Sequence, residues 1–185
     1  MSKLEWKPGT MVYPLPAVMV SCGTMEKSNI ITVAWTGTIC TDPAMTYISI
    51  RPERYSYDLI KENMEFVINL TTKELAYATD FAGVKSGADM DKFKELNLTR
   101  EVAKKVACPL IKESPLNIEC KVIEIKELGS HHMFIAEVVA LNADEKYMDS
   151  NNRFCMEKCN LIAYSHGQYY ELGNNIGKFG FSVKK

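Results

Sequence analysis

The chain lacks several things that would settle its class at once. No apolar run approaches the roughly 18 residues that a membrane-spanning helix needs. The opening MSKLEWKPGTM has neither an apolar core nor a small-residue cleavage site, so the sequence predicts a soluble, cytoplasmic protein. There is no excess of charge of one sign: 22 Lys and Arg stand against 23 Asp and Glu, for a formal net charge of −1. A general nucleic-acid binder usually carries a basic surplus, and none is present. No CxxC pair occurs among the six cysteines at 22, 40, 108, 120, 155 and 159. With no export signal, reduced thiols are the default. GxGxxG, HExxH, GxSxG and the Walker A pattern GxxxxGK[ST] are all missing.

What is there fits one globular domain spanning 1–185. Hydrophobic residues make up 46% and charged residues 24% of the 185, which excludes disorder as the main state. Strand-like runs dominate the first seventy positions: AVMVSCGT (17–24), IITVAWTGTIC (30–40), MTYISIRP (45–52) and EFVINL (65–70). A short helix is expected over SYDLIKEN (56–63), with Ser56 as its N-cap. Thr71 and Glu74 form a capping box before TKELAYATDFAG, and Gly83 reads as the stop of that helix. DKFKEL (91–96) has room for one or two helical turns. NIECKVIEIKEL (117–128) and MFIAEVVALN (133–142) alternate as strands and form a hairpin through GSHH. The expected fold is mainly β, a closed or partly closed β-barrel with a few short helices.

Four segments carry residue types that suit chemistry. NIITVAWTGTICT (29–41) ends a strand in small and hydroxyl residues and holds one indole, Trp35. A flat heterocycle needs backbone hydrogen bonds at its edge and apolar contact on its face, and this segment offers both. The same residues also read as a buried strand with Trp in the core. SIRPERYS (49–56) brackets a proline with two arginines and two serines ahead of a helix, which suits a phosphate dianion or a solvated strand end. GVKSGADMDKF (83–93) can add Lys92 as a second cation if the loop folds back, and is otherwise a surface loop. In GSHH (129–132) the adjacent histidines of an extended segment face opposite sides, so one at most meets a ligand. Cys155 and Cys159 share a face if CMEKC is helical, but with His166 they supply only three of the four ligands of a zinc site, and packing is the simpler reading.

Taken in order, PLPAVMVS (14–21), NIITVAWTG (29–37), YISIRPERYS (47–56), EFVINL (65–70), SGADMDKF (86–93), NIEC (117–120) and GSHHMFIAEVV (129–139) resemble the flavin reductase-like, FMN-binding split-barrel family, and within it the flavoredoxin branch. The resemblance covers roughly 10–172 and implies a split barrel that binds FMN near the interface of a homodimer. It implies that Asn29, Ala34, Trp35 and Thr36 line the ring and ribityl side, and that Arg51, Ser56 and Lys92 meet the phosphate, with Arg54 and Tyr55 close by. Many members carry Gly-Asp-His on the hairpin, with the histidine beside a nicotinamide; here Gly129, Ser130 and His131 match, with Ser130 in place of Asp. The implied function is an oxidoreductase that passes electrons from NADH, NADPH or a protein donor through FMN to an acceptor. The alternatives are a non-enzymatic FMN electron carrier between protein partners and a flavin-binding protein with a structural or storage role.

Overall fold

The fold is described from a computed structural model for residues 1–183. In chain order the strands and helices are β1 (Leu15–Pro16), β2 (Val18–Gly23), β3 (Ser28–Val33), β4 (Thr36–Thr41), β5 (Ala44–Ile50), α1 (Tyr55–Asn63), β6 (Glu65–Asn69), α2 (Ala76–Val84), α3 (Lys92–Glu95), β7 (Arg100–Glu101), β8 (Leu110–Ile111), β9 (Leu116–Leu128), β10 (His131–Ala143), β11 (Ile162–Ser165) and β12 (Gln168–Glu171). Seven of the strands make one antiparallel sheet in the order β3-β2-β6-β9-β10-β5-β4. A smaller sheet, β1-β11-β12, lies beside it.

The order of the large sheet dictates its closure. β3 and β4 sit at opposite ends of the sheet, yet only Ala34 and Trp35 separate them in the chain. Successive Cα atoms are 3.8 Å apart, so the two ends lie within about 11 Å of each other. The sheet is therefore rolled into a barrel that is split where β3 hands over to β4. At the seam, Ser49 N–H donates to the Trp35 carbonyl at 2.8 Å and Thr36 N–H to the Ala34 carbonyl at 3.0 Å.

Side-chain parity explains the apolar runs. All six residues of β2 are buried. Val18, Val20 and Cys22 point into the barrel with Ile31, Val33, Ile48, Phe66 and Phe134. Met19 points the other way, into a second cluster with Leu75 just before α2, Ala82 on α2 and Phe93 on α3. A strand buried on both faces has no reason to alternate, and AVMVSCG does not. The β9–β10 hairpin, half solvated, does alternate, with bulges at Ile135/Ala136 and Val138/Ala140.

Several local expectations are corrected. Ser56 does not cap α1: the helix starts at Tyr55 with Arg54 as N-cap, and Ser56 is buried in the first turn. Thr71 and Glu74 do not box α2, which starts at Ala76; the Thr71 hydroxyl turns inward and donates to the Ala17 carbonyl. Gly83 does not stop α2, which runs to Val84. The hairpin turn is Gly129-Ser130 alone, with Gly129 at φ +54°, and both histidines belong to β10. Arg51 follows β5 rather than lying on it. Cys155 and Cys159 flank a 3₁₀ turn, Met156–Lys158, and are both buried. Among the described residues no helix is long and apolar enough to cross a membrane.

Candidate functional site

Two cavities open beside the seam and share a wall. The seam cavity, about 530 Å³, is lined by Ala34 and Trp35 from the seam, Ser49 and Ile50 from β5, and His131 from β10. The helix cavity, about 280 Å³, lies against the start of α1 and is lined by Asn29, Tyr55, Ser56 and Lys92. Ile31, Arg51, Arg54 and Gly83 line both, so the two form one bilobed site. The combined size is in the range of sites that take drug-sized or cofactor-sized ligands.

The end of the helix cavity is built from buried polar groups. Asn29 Nδ2 donates to Ser56 Oγ at 2.8 Å, tying β3 to α1. Lys92, only 3% exposed, donates from Nζ to the carbonyls of Ile30 and Ala82, both at 2.7 Å. An ammonium has three N–H donors, and two are used by these carbonyls. Burial pulls the Lys92 ammonium down to about 8. Burial also pushes the neighbouring Cys22 thiol up to about 11, so it stays protonated. A clamp outside the site fixes α3: Asp91 caps it by accepting from Phe93 N–H and Lys94 N–H, and Arg100 donates to Asp91 at 2.6 Å while lying over the Phe93 ring at 4.3 Å.

The loop after α2 folds back on this cavity. Lys85, Ser86 and Gly87 line it. Gly87 lies so close to Asn29 that a Cβ would stand 2.1 Å from Asn29 Oδ1. Gly83 lets α2 approach β3, since a Cβ there would meet Thr32 Cβ at 3.2 Å. The Thr32 hydroxyl also donates to the Thr79 carbonyl. Both glycines thus have packing roles that the sequence reading did not assign.

Of the ten residues expected at the site, nine line the two cavities: Asn29, Ala34, Trp35, Arg51, Arg54, Tyr55, Ser56, Lys92 and His131. Thr36 does not; it is buried, and its hydroxyl donates to the Tyr47 carbonyl at 2.6 Å. Arg51 reaches Glu53 at 3.4 Å in an exposed pair of little energetic weight. His131 Nδ1 lies 3.0 Å from Ser130 Oγ. Burial and then the nearby Arg51 charge lower its pKa, which keeps the ring neutral at pH 7. His132 faces elsewhere, with Nδ1 2.7 Å from Tyr57 Oη. The sequence reading missed Asp80 on α2 and Tyr164, Gly167 and Tyr169 of the β11–β12 hairpin, which complete the seam cavity. Tyr164, Gly167 and Tyr169 fall in the aromatic stretch YSHGQYYELGNN (164–175), and Asp80 lies within the helical run TKELAYATDFAG.

A rolled antiparallel barrel, split at one seam beside a bilobed cavity, is the flavin reductase-like split-barrel architecture. The chain belongs to the family described as the flavin reductase like domain, whose profile matches residues 10–173. It is similar in structure to the flavoredoxin of Desulfovibrio vulgaris (Miyazaki F), with a TM-score of 0.90 and 29% identity over the whole of both chains. An FMN-binding protein of Thermus thermophilus shares the fold at a TM-score of 0.78, with 21% identity, 92% of this chain and 96% of that one covered. An uncharacterised protein of Archaeoglobus fulgidus is 35% identical over 149 residues, 78% of this chain and 84% of its own.

Proposed function

We propose that the protein binds FMN in the bilobed site and works as an oxidoreductase, moving electrons from a reduced nicotinamide or a protein donor through the flavin to an acceptor. The observation that carries this reading is the buried Lys92 ammonium at the end of the helix cavity, beside the Ser56 hydroxyl and within the same lining as Arg51 and Arg54. A phosphate monoester carries about two negative charges at neutral pH and binds best to charged donors and hydroxyls. Tyr55 would flank the phosphate, and Asn29 would hold Ser56 in place. The ring would lie against Ala34 and Trp35, which line the seam cavity. The flavin supplies the redox chemistry, and the residues named here bind it, orient it and limit its contact with water. The names of the structural relatives, a flavoredoxin and an FMN-binding protein, support the same cofactor.

The reading extends to a cytoplasmic homodimer. Ile39, Ile123, Leu128 and Leu141 on the outside of the barrel are each more than 45% exposed. In this reading a second copy of the chain covers part of that apolar surface. Light scattering should give twice the 20.9 kDa chain mass; a monomer at micromolar concentration contradicts this part.

The function is tested by mixing the FMN-loaded protein with NADH or NADPH in the absence of oxygen. Loss of the flavin's blue absorption band within seconds supports the nicotinamide-linked enzyme. A flavin that stays oxidised with both nucleotides but is reduced by dithionite supports the second reading, an electron carrier between protein partners. Ser130 favours that second reading: it stands where many family members have Asp, and it meets His131 Nδ1 at 3.0 Å.

A further inference from the structure

A third cavity, about 410 Å³, lies between the start of α2 and the end of α3 and shares no lining residue with the other two. Leu75, Ala78, Leu96 and Leu98 give it an apolar lining continuous with the Met19 cluster, and Tyr77 and Tyr147 add two aromatic rings. Its charges are uneven. Lys146, the one cation among its described lining residues, is already paired with Asp144 at 2.8 Å. Glu113 accepts from Thr99 N–H, 3.1 Å from both carboxylate oxygens. Glu74 is exposed. The cavity therefore joins an apolar lining to net negative charge.

The chain also carries a segment of the opposite character. Residues 172–185 hold three lysines and no carboxylate. Within it Ile176 is 93% and Phe179 106% exposed, and Phe181 and Val183 are exposed as well. Among the described residues, the hydrogen bonds of 173–183 are internal: Gly177 N–H to Asn175 Oδ1 at 2.7 Å, Phe181 N–H to the Lys178 carbonyl at 2.9 Å and Val183 N–H to the Gly180 carbonyl at 3.2 Å. The segment leaves the fold beside the cavity. Glu171, the last residue of β12, pairs with Lys73 at 2.6 Å, between Thr72 and Glu74 of the lining. Phe179 lies eight residues further on, a reach of up to about 28 Å.

We propose that segment 173–183 docks in the α2–α3 cavity of a second copy of this chain, with Phe179 and Phe181 against the leucines and Lys178 facing the partner's Glu74. This rests on the homodimer part of the function proposed above. In its own chain the segment stands clear of the cavity, although it leaves the fold next to it. Exit and receptor side by side are what an isologous exchange needs. A twofold axis near this end lays each segment over the other copy's cavity, and both contacts form together. Docking takes the two aromatic rings and the leucines out of water, which is the main favourable contribution. The pairing of Lys178 with Glu74 sets partner and register more than it adds affinity.

Charge reversal separates exchange between copies from docking within one chain. Lys178→Glu and Glu74→Lys are made as separate variants of the full chain, and dimer dissociation constants are measured by sedimentation. Both positions are exposed, so the fold should be kept. Each variant alone should dimerise roughly tenfold more weakly than wild type. An exposed pair is worth little, but the twofold axis counts it twice and reversal sets like charges together. Mixed in equal amounts, the two variants should form a heterodimer of near wild-type affinity, because each segment then meets a cavity of opposite charge. Phe179→Ser combined with Phe181→Ser should weaken the dimer roughly a hundredfold, by loss of apolar burial at both contacts. Unchanged dimerisation in the phenylalanine variant, or in both charge variants, overturns the proposal and leaves the dimer held elsewhere. A mixture no tighter than its two components shows the segment docking on its own chain and also overturns it. A wild type that stays monomeric at micromolar concentration instead overturns the homodimer reading, and this exchange with it.

Discussion

Lys92 donates to the Ala82 carbonyl at 2.7 Å, joining the start of α3 to the last turn of α2 beneath the helix cavity. A second bond of the same length, to Ile30 on β3, makes the ammonium a junction of three elements. It is both a structural pin and the most buried cation of the candidate phosphate site.

These two roles respond oppositely to pH. The Lys92 ammonium sits near 8 in the folded chain, below the ordinary lysine value. Between about 8 and 10.5 the unfolded chain holds this proton and the folded chain does not, so Lys92's contribution to stability rises with pH in that window. Affinity for a phosphate anion should fall in the same window, because the cation is lost. Flavin titrations across the window, paired with thermal melts of the apo-protein, should show the two opposite slopes. Lys92→Met should weaken FMN by roughly 1.5–3 kcal/mol, about tenfold or more, and flatten the pH dependence. Unchanged affinity in this variant would reduce Lys92 to a structural pin.

Gly87→Ala probes the loop that folds over the cavity. The added methyl would stand 2.1 Å from Asn29 Oδ1, so Asn29 must move and its bond to Ser56 Oγ must stretch or break. FMN affinity should drop about tenfold, by loss of one or two hydrogen bonds at the buried end, while the melting temperature of the apo-protein shifts little. Wild-type affinity would show that the loop yields instead of Asn29.

Glu119 tests the frame. It is fully buried and accepts from Lys104 N–H at 2.9 Å, Lys105 N–H at 2.6 Å and Asn142 Nδ2 at 2.7 Å, stapling 104–105 and β10 to β9. Burial alone would raise its pKa, but these donors outweigh burial and hold it below the ordinary value. A depressed carboxyl adds stability above its unfolded pKa and loses it as pH falls through the folded one. Glu119→Gln should cost about 1–3 kcal/mol at pH 7 in urea unfolding, and the gap to wild type should shrink as pH drops below 4.5. A gap that is the same at acid and neutral pH would contradict the charged role.

The paired histidines should part company. His131→Ala, at the seam cavity, should slow anaerobic reduction by nicotinamide roughly ten- to a hundredfold with FMN affinity nearly kept, the span for losing one positioning or proton-handling group. His132→Ala should instead lower stability by about 1 kcal/mol through its lost bond to Tyr57, with the reduction rate unchanged. Stopped-flow traces and urea melts on the same two variants separate the effects; equal rate losses at both positions would make the hairpin a purely structural element.

The strands that build the barrel were legible because burial on one or both faces writes itself into runs such as AVMVSCG and EFVIN. The site was legible where its residues fall in short segments: Asn29, Arg51, Ser56 and Lys92 each sit in a recognisable local context. The capping predictions failed because tertiary contacts outbid local ones: Ser56 is engaged by Asn29, and Thr71 by Ala17. Thr36 was placed in the ring wall because seam and wall are adjacent in sequence, yet its hydroxyl is drawn back to Tyr47. Asp80, Tyr164 and Tyr169 were not legible at all. Tyr164 and Tyr169 reach the cavity because Leu15 and Pro16 pair with Tyr164 and Ala163, more than a hundred residues away, and Asp80 because the bond from Thr32 to Thr79 holds α2 against β3; no local pattern encodes either contact.

In the proposed function, the bilobed site holds a flavin by its single terminal phosphate. Titrating apo-protein with FMN, riboflavin and FAD, following quenching of flavin fluorescence, tests this most directly. FMN should bind at least tenfold tighter than riboflavin, the minimum expected from charge-assisted bonds to the phosphate, and Lys92→Met should remove most of this difference. Riboflavin binding as tightly as FMN, or FAD binding best, would contradict it.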